Sequence, residues 1–170
     1  MAAINKVSRA RQVPGGLRVG AVAPAWTLPS DTGESVSLAS CRGKTVVLYF
    51  YPKDDTPGCT KEACAFRDAW ERVRARGAIV LGISIDSVAS HQAFKAKYHL
   101  SFPLLSDADK TVVRAYGVWK EKSMYGRTYW GIERTTVVID PHGRIAHMFP
   151  KVKVDGHVED VLVRLGRASR

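Results

Sequence analysis

Residues 45–51 read TVVLYFY, and residues 78–85 read AIVLGISI. Both are continuous apolar runs rich in β-branched side chains, which is typical of central strands covered on both faces. In the segment between them, 59–76, apolar residues recur at intervals of three and four, and Gly77 follows as a natural helix stop. A strand, a helix and a strand in this order predict a right-handed βαβ unit with two parallel strands.

The rest of the chain predicts further elements around this unit. They are a helix capped by Ser87, a short strand at 102–105, a helix at 107–116, strands at 135–139 and 144–149, and a last helix at 158–165. The turn Asp140-Pro141-His142-Gly143 predicts that the last two strands form an antiparallel hairpin. The sequence therefore predicts an α/β fold, a central mixed β-sheet flanked by helices in a thioredoxin-like order.

The length of 170 residues suggests one domain. We expect a basic, flexible arm at 1–19, since its first 18 residues contain no acidic residue and a Pro-Gly-Gly break, and a folded domain at 20–170. The arm lacks the apolar segment of a secretory signal, although a short transit peptide is an alternative. The sequence contains no run of 18 apolar residues, so no membrane-spanning helix is predicted. Three cysteines without a secreted disulfide pattern favour the cytoplasm.

The formal net charge of +10 raises the hypothesis of nucleic-acid binding. The basic residues are spread along the chain, however, with no aromatic RNA-binding motif and no zinc-finger spacing. A basic surface alone gives weak, salt-sensitive binding to any polyanion. The five histidines show no metal-ligand spacing either. We therefore predict no specific nucleic-acid partner and no bound metal.

Two of the three cysteines follow the first predicted strand, in the segment YFYPKDDTPGCTKEAC (49–64). Thr56 is a favoured N-cap residue and Pro57 a favoured first helical residue, so Cys59 is expected in the first turn of a helix. Unpaired backbone N–H groups and the positive end of the helix dipole stabilise a thiolate there. The hydroxyl of Thr56 is close enough to hydrogen-bond to the sulfur or to a substrate oxygen. The alternative is an inert, buried cysteine in a capped helix.

The pattern Pro52-x-x-x-Thr56-x-x-Cys59 resembles the active-site motif of peroxiredoxins. The full segment 49–64 is similar to the bacterioferritin-comigratory-protein subfamily, also called peroxiredoxin Q. The similarity covers most of the chain, while the basic arm and Cys41 lie outside it. Its other segments are GAVAP (20–24), VLGISID (80–86), FPLLSD (102–107), YGVWKEKSMYG (116–126) and GIERTTVVID (131–140).

This resemblance implies a thioredoxin-like fold and the thiol-dependent reduction of hydrogen peroxide and organic hydroperoxides. It implies that Cys59 is the peroxidatic cysteine and that Cys64 is the resolving cysteine, which forms a disulfide with Cys59. It also implies that Arg134 stabilises the thiolate and the peroxide, and that Thr56 and Pro52 shape and shield the pocket. No metal or organic cofactor is implied. The implied reductant is thioredoxin or a similar dithiol, and the implied state is a monomer.

Alternatives remain at this point. From the residues alone, Arg134 is also explained as a surface ion-pair residue, with Glu133 as a candidate partner. Cys41, in a predicted turn, is best explained as an ordinary loop residue. The alternative function is a protein disulfide oxidoreductase or a redox-linked chaperone, although the CxxC motif expected at a helix start is missing.

Overall fold

The computed structural model describes residues 17–166, so nearly all of the predicted basic arm lies outside the described residues. The strands are β1 (Thr27–Pro29), β2 (Ser35–Ser37), β3 (Thr45–Phe50), β4 (Ala78–Ser84), β5 (Leu104–Ser106), β6 (Trp119–Met124), β7 (Arg127–Ile132), β8 (Thr135–Ile139) and β9 (Ile145–Phe149). The α-helices are α1 (Pro57–Asp68), α2 (Trp70–Arg74), α3 (Val88–Tyr98), α4 (Thr111–Ala115) and α5 (His157–Leu165). A 3-10 helix spans Ala39–Cys41.

A five-stranded mixed sheet forms the centre of the molecule, in the order β5-β4-β3-β8-β9. β3 pairs in parallel with β4 and antiparallel with β8. β4 pairs in parallel with β5, and β8 pairs antiparallel with β9. The predicted βαβ unit, the predicted hairpin and the α/β fold class are therefore confirmed.

Alternate residues of β3 enter two different hydrophobic clusters, one on each face of the sheet. Val46, Leu48 and Phe50 belong to the cluster that contains α4 and the 3-10 helix. Val47 and Tyr49 belong to the cluster covered by α1, α2, α3 and α5. Side chains of a strand alternate between the faces of its sheet, so a strand buried on both faces has a continuous apolar run.

The register of the sheet determines which segments meet at the carboxyl end of β3. Phe50, the last residue of β3, pairs with Thr135, the first residue of β8. The loop 51–56 that leads from β3 into α1 therefore lies beside the residues that precede β8. Ligands of open α/β sheets usually bind at this end of the strands.

Two predicted helices differ from the structure. The helix expected at 59–76 is interrupted at Ala69, whose φ of −93° and ψ of 3° separate α1 from α2. The helix expected at 107–116 is reduced to α4, because Lys110 adopts a left-handed conformation with φ of 64° just before it. The side chain of Asp107, four residues before this short helix, satisfies one of its backbone N–H groups: Oδ2 of Asp107 accepts the N–H of Val113 at 2.8 Å.

The remaining differences are smaller. The strand expected at 102–105 begins two residues later and ends one residue later, as β5. Two antiparallel hairpins, β1–β2 and β6–β7, were not predicted. Within residues 17–166, no helix combines the length and the apolar character that a membrane span requires.

Candidate active site

Cys59 is the third residue of α1 and lies in its first turn. Thr56, with an extended backbone, occupies the N-cap position, and Pro57 is the first helical residue. The first turn of a helix has backbone N–H groups without intrahelical partners, and the helix dipole is positive there. The Cys59 side chain is buried, with 1% of the residue exposed. Its sulfur is thus shielded from bulk water beside a positive helix end.

Arg134 contacts the sulfur of Cys59 directly. Its Nη2 donates to Cys59 Sγ at 3.4 Å. Arg134 lies between β7 and β8, beside the loop that leads into α1, and 17% of its side chain is exposed. A guanidinium at this distance favours the thiolate over the thiol, because it supplies both a charge and a hydrogen-bond donor. The sequence interpretation of Arg134 as a surface partner of Glu133 does not describe this geometry.

Glu62 is the second partner of Arg134, and its role was not predicted from the sequence. Nη1 of Arg134 donates to Glu62 Oε1 at 2.9 Å, and Glu62 is completely buried. Burial raises the pKa of Glu62 to about 7, although the charge and the hydrogen bond of Arg134 lower it. Glu62 therefore holds the guanidinium in one orientation and changes protonation state near neutral pH.

Gly58 and Lys122 also contribute to the site without having been predicted. A Cβ atom on Gly58 would lie 3.2 Å from Nη2 of Arg134, so glycine gives the guanidinium room to approach Cys59. Burial lowers the pKa of Lys122, and the charge of Arg134 lowers it further. The charges of Glu133 and Cys59 raise it, so Lys122, in β6, lies near enough to Cys59 and Arg134 to interact electrostatically with both.

Thr56 and Pro52 lie in the loop 51–56, close to Cys59 in the sequence. The Thr56 hydroxyl donates to the carbonyl oxygen of Lys53 at 2.9 Å. Its side chain makes no capping hydrogen bond, which corrects the expectation of a conventional N-cap. A hydroxyl that donates to a carbonyl keeps its lone pairs available as acceptors. Pro52 is half-buried and follows the buried Tyr51.

Cys64 lies on the same helix as Cys59, five residues further on, and is half-exposed. Both thiols are free, as is that of Cys41. Since α1 is unbroken between the two residues, ideal helix geometry separates their Cα atoms by about 8.7 Å. A disulfide requires a separation of less than about 7 Å and converging Cβ vectors. The two cysteines therefore cannot bond without a change in the helix.

Cys41 lies on the other face of the sheet, in the 3-10 helix. Its Sγ donates to the carbonyl oxygen of Ser37 at 3.5 Å. Burial raises the pKa of this thiol, while Ser40 and Lys44 lower it to a smaller extent. These surroundings favour the neutral thiol, which is a poor nucleophile.

A buried thiol, a guanidinium and a carboxylate at a helix N-terminus define a thiol-based redox site, and comparison with known proteins identifies its family. The AhpC/TSA family model matches residues 19–148. The putative peroxiredoxin bcp of Coxiella burnetii is 59% identical over 149 residues, covering 88% of this chain and 99% of the relative. Peroxiredoxin Bcp of Escherichia coli K12 is 44% identical over 146 residues, covering 86% and 94%.

Solved structures of similar proteins point to the same family. Peroxiredoxin Q of Xanthomonas campestris superposes with a TM-score of 0.82 at 42% identity, covering 89% of this chain and 97% of that one. A structure of the Xanthomonas campestris bacterioferritin comigratory protein, studied for its alkyl peroxide reduction activity, gives a TM-score of 0.79 at 44% identity, covering 82% and 89%.

The chain belongs to the AhpC/TSA family, and within it to the Bcp-type peroxiredoxins. It is a thiol peroxidase, with peroxides as substrates and a thiol as reductant.

Proposed function

We propose that the protein reduces hydrogen peroxide and organic hydroperoxides through a sulfenic acid on Cys59 and a Cys59–Cys64 disulfide. The observation that carries this proposal is the guanidinium of Arg134, 3.4 Å from a buried sulfur in the first turn of α1. That environment supports a thiolate in a site from which water is largely excluded.

In the first step, the thiolate of Cys59 attacks one peroxide oxygen in line with the O–O bond. The S–O bond forms as the O–O bond breaks, and the leaving oxygen departs as water or an alcohol after taking up a proton. Negative charge develops on that oxygen, so donors placed there lower the barrier. Arg134 and the N–H groups of the first turn are the proposed donors. The Thr56 hydroxyl takes part in positioning the peroxide, and Pro52 shields the sulfur.

In the second step, the thiol of Cys64 condenses with the sulfenic acid of Cys59, which forms the disulfide and releases water. The helical separation of about 8.7 Å between the Cα atoms means that the first turn and a half of α1 must unwind. Unwinding loses a few helical hydrogen bonds, at about 1 kcal/mol each. We infer that condensation of the sulfenic acid readily offsets this amount.

In the third step, an external dithiol reduces the disulfide by thiol–disulfide exchange. Thioredoxin or a similar dithiol protein is the proposed reductant. The proposed functional unit is a monomer, because both cysteines belong to one helix of one chain. An odd number of cysteines, three, without a secreted disulfide pattern supports a reducing compartment, and the proposed location is the cytoplasm.

The test is steady-state consumption of hydrogen peroxide and of a bulky hydroperoxide with a thioredoxin system, in wild type and in Cys64→Ser. We expect wild type to turn over both substrates. The variant should consume one equivalent of peroxide, accumulate sulfenic acid, and lose or slow its turnover with thioredoxin. Normal turnover by Cys64→Ser would mean that another thiol resolves the sulfenic acid. No peroxide consumption by wild type would favour a disulfide oxidoreductase instead.

A further inference from the structure

The loop 51–56, which leads from β3 into the first turn of α1, is tied to α3 by a buried carboxylate. Asp54 is buried, and its two carboxylate oxygens accept from three groups. The Tyr51 hydroxyl donates to Oδ1 at 2.6 Å. The Ser90 hydroxyl lies 2.8 Å from Oδ2 and Nδ1 of His91 lies 2.7 Å from it. Ser90 and His91 both belong to α3, so the loop is attached to that helix.

The second ring nitrogen of His91 fixes the protonation pattern of this network. Nε2 lies 2.9 Å from the carbonyl oxygen of Leu105, in β5, and a carbonyl oxygen can only accept. Nε2 therefore carries a hydrogen, and a further proton lies between Nδ1 and the Asp54 carboxylate. His91 is completely buried. Removing its hydrogen bond to Asp54 would leave a buried carboxylate with one donor fewer, which destabilises the loop conformation.

Asp54, His91 and Asp86 are also close enough together to suggest a metal site. Their ligand atoms are already hydrogen-bonded within the network, however. Oδ2 of Asp86 accepts from the Ser84 hydroxyl at 2.6 Å and from the backbone N–H of Asp54 at 2.9 Å. The arrangement therefore holds the loop backbone, and its donors and acceptors are matched without an ion.

The next residue, Asp55, adopts a left-handed conformation with φ of 56°. This conformation is strained for a residue with a side chain and persists only where surrounding contacts hold it. Its carboxylate accepts from Nζ of Lys97 and from the hydroxyl of Tyr98, both at 2.8 Å. Two consecutive residues of the loop are thus held by α3, immediately before Thr56 and the first turn that carries Cys59.

We propose that His91 is a positioning residue for the peroxidase reaction, acting through Asp54 to hold the loop 51–56 and the first turn of α1 in their folded conformation. This inference rests on the proposed function, in which attack on peroxide needs the folded turn and disulfide formation needs the unwound turn. Loss of the His91–Asp54 hydrogen bond shifts the balance between these conformations. It therefore slows the first step and speeds the second.

The test uses two substitutions that each keep one half of the histidine's hydrogen bonding. The amide nitrogen of His91→Asn stands near Nδ1 and can donate to Asp54. The amide nitrogen of His91→Gln stands near Nε2 and can donate to Leu105 instead. Val113→Ala is the control, because it truncates a fully buried side chain in the hydrophobic cluster on the other face of the sheet. The rates of Cys59 oxidation and of disulfide formation are measured by stopped-flow tryptophan fluorescence.

We expect His91→Gln to slow oxidation by about tenfold and to speed disulfide formation severalfold, since small displacements of reacting groups have effects of this order. His91→Asn should stay within about twofold of wild type, a rescue that a purely space-filling role for His91 would not give. Val113→Ala should lower the melting temperature and change neither rate.

The proposal is overturned if the two rates in His91→Gln stay at wild-type values, or if they change in the same direction. If a His91 variant does not fold, Asp54→Ala carries the same test. Hydrogen exchange of 57–62 in the reduced protein adds a readout that needs no peroxide. Faster exchange in His91→Gln, but not in Val113→Ala, supports the positioning role of His91 even if the proposed chemistry of Cys59 fails.

Discussion

Cys59 and Cys41 are both buried cysteines, at 1% and 8% exposure, and they lie on opposite faces of the same sheet. Their surroundings differ in charge. Cys59 has the guanidinium of Arg134 at 3.4 Å and lies in the first turn of a 12-residue helix. Cys41 lies in a short 3-10 helix and donates to a carbonyl oxygen.

The difference shows that burial by itself does not make a cysteine reactive. Burial in apolar surroundings penalises the charged form, and at Cys41 this raises the pKa of the thiol. At Cys59 a cation held by Glu62 and a helix N-terminus oppose the same penalty. The proposed roles of the two thiols, nucleophile for Cys59 and structural residue for Cys41, therefore rest on the groups around each sulfur and not on burial.

The largest expected effect comes from exchanging the thiols one at a time. Cys59→Ser should abolish peroxide reduction, because serine does not form a comparable nucleophile at neutral pH. Cys41→Ser should leave the rate within about twofold of wild type, since no step uses this thiol. Both rates are measured as peroxide consumed per enzyme. Equal losses in the two variants would remove the distinction between the two cysteines.

The second prediction removes the cation that distinguishes the two sites. Arg134→Ala should slow oxidation of Cys59 by roughly a hundredfold, because a donor to the developing charge is lost. Arg42→Ala, beside Cys41, is the matched control and should have no effect. The oxidation rate is measured against pH. If Arg134 only favoured the thiolate, the rate would recover fully at alkaline pH. We expect incomplete recovery, because in the proposed mechanism Arg134 also holds the peroxide.

The third prediction compares the mobility of the two regions during the cycle. Disulfide formation should increase hydrogen exchange across 57–68, reduce helicity in circular dichroism and change the fluorescence of Trp70, since the first turns of α1 must unwind. Exchange across the 3-10 helix Ala39–Cys41 should stay the same in reduced and oxidised protein. Identical protection of 57–68 in both forms would contradict the unwinding.

The smallest expected effect on the oxidation rate comes from Glu62. Among the described residues, the surroundings of Cys41 contain no equivalent of this one. Glu62→Gln keeps an acceptor for Arg134 but removes the charge, so oxidation of Cys59 should slow only severalfold. The pKa of Glu62 is raised from 4.5 to about 7 in the folded protein. Its contribution to stability is therefore fully present below pH 4.5 and is lost as the pH rises through about 7.

The variant tests this sign directly. At pH 8 it should be more stable than wild type, by up to about 3 kcal/mol, which is the free-energy equivalent of the raised pKa. The difference should disappear below pH 4.5, where wild-type Glu62 is protonated in both the folded and the unfolded protein. Urea denaturation of the variant and of wild type, at pH 8 and below pH 4.5, measures this difference in the free energy of unfolding. A variant that is less stable than wild type at pH 8 would contradict the raised pKa.

The parts of the fold that the sequence predicted are those with a strong hydrophobic pattern. β3 and β4 are buried on both faces, so their apolar runs stand out. The break at Ala69 could not be predicted, because alanine is the strongest helix former and neither glycine nor proline stands beside it to mark a helix end. The β6–β7 hairpin is mostly exposed, so it lacks an apolar pattern. Its turn residues Tyr125 and Gly126 both have positive φ.

For the site, the motif located Cys59, but the network around it is a tertiary feature. Arg134 approaches Cys59 only because β8 pairs with β3, a pairing of residues far apart in the chain. The sequence does contain an indication of the role of Glu62. It is an acidic residue three positions after Cys59 on a helix face that also buries Ala63 and Phe66. A buried acid in such a position requires a cationic partner. Thr56 does occupy the predicted N-cap position, but its side chain makes no capping hydrogen bond, because its hydroxyl donates to the carbonyl oxygen of Lys53 instead.

The most direct test of the account is to identify the first cysteine that peroxide oxidises. Reduced Cys64→Ser is mixed with one equivalent of hydrogen peroxide and a reagent that traps sulfenic acid, and the adduct is located by peptide mass spectrometry. We expect the adduct on Cys59, with Cys41 unmodified. An adduct on Cys41, or peroxide consumption without an adduct on Cys59, would contradict the claim that Arg134 and the helix N-terminus make Cys59 the nucleophile.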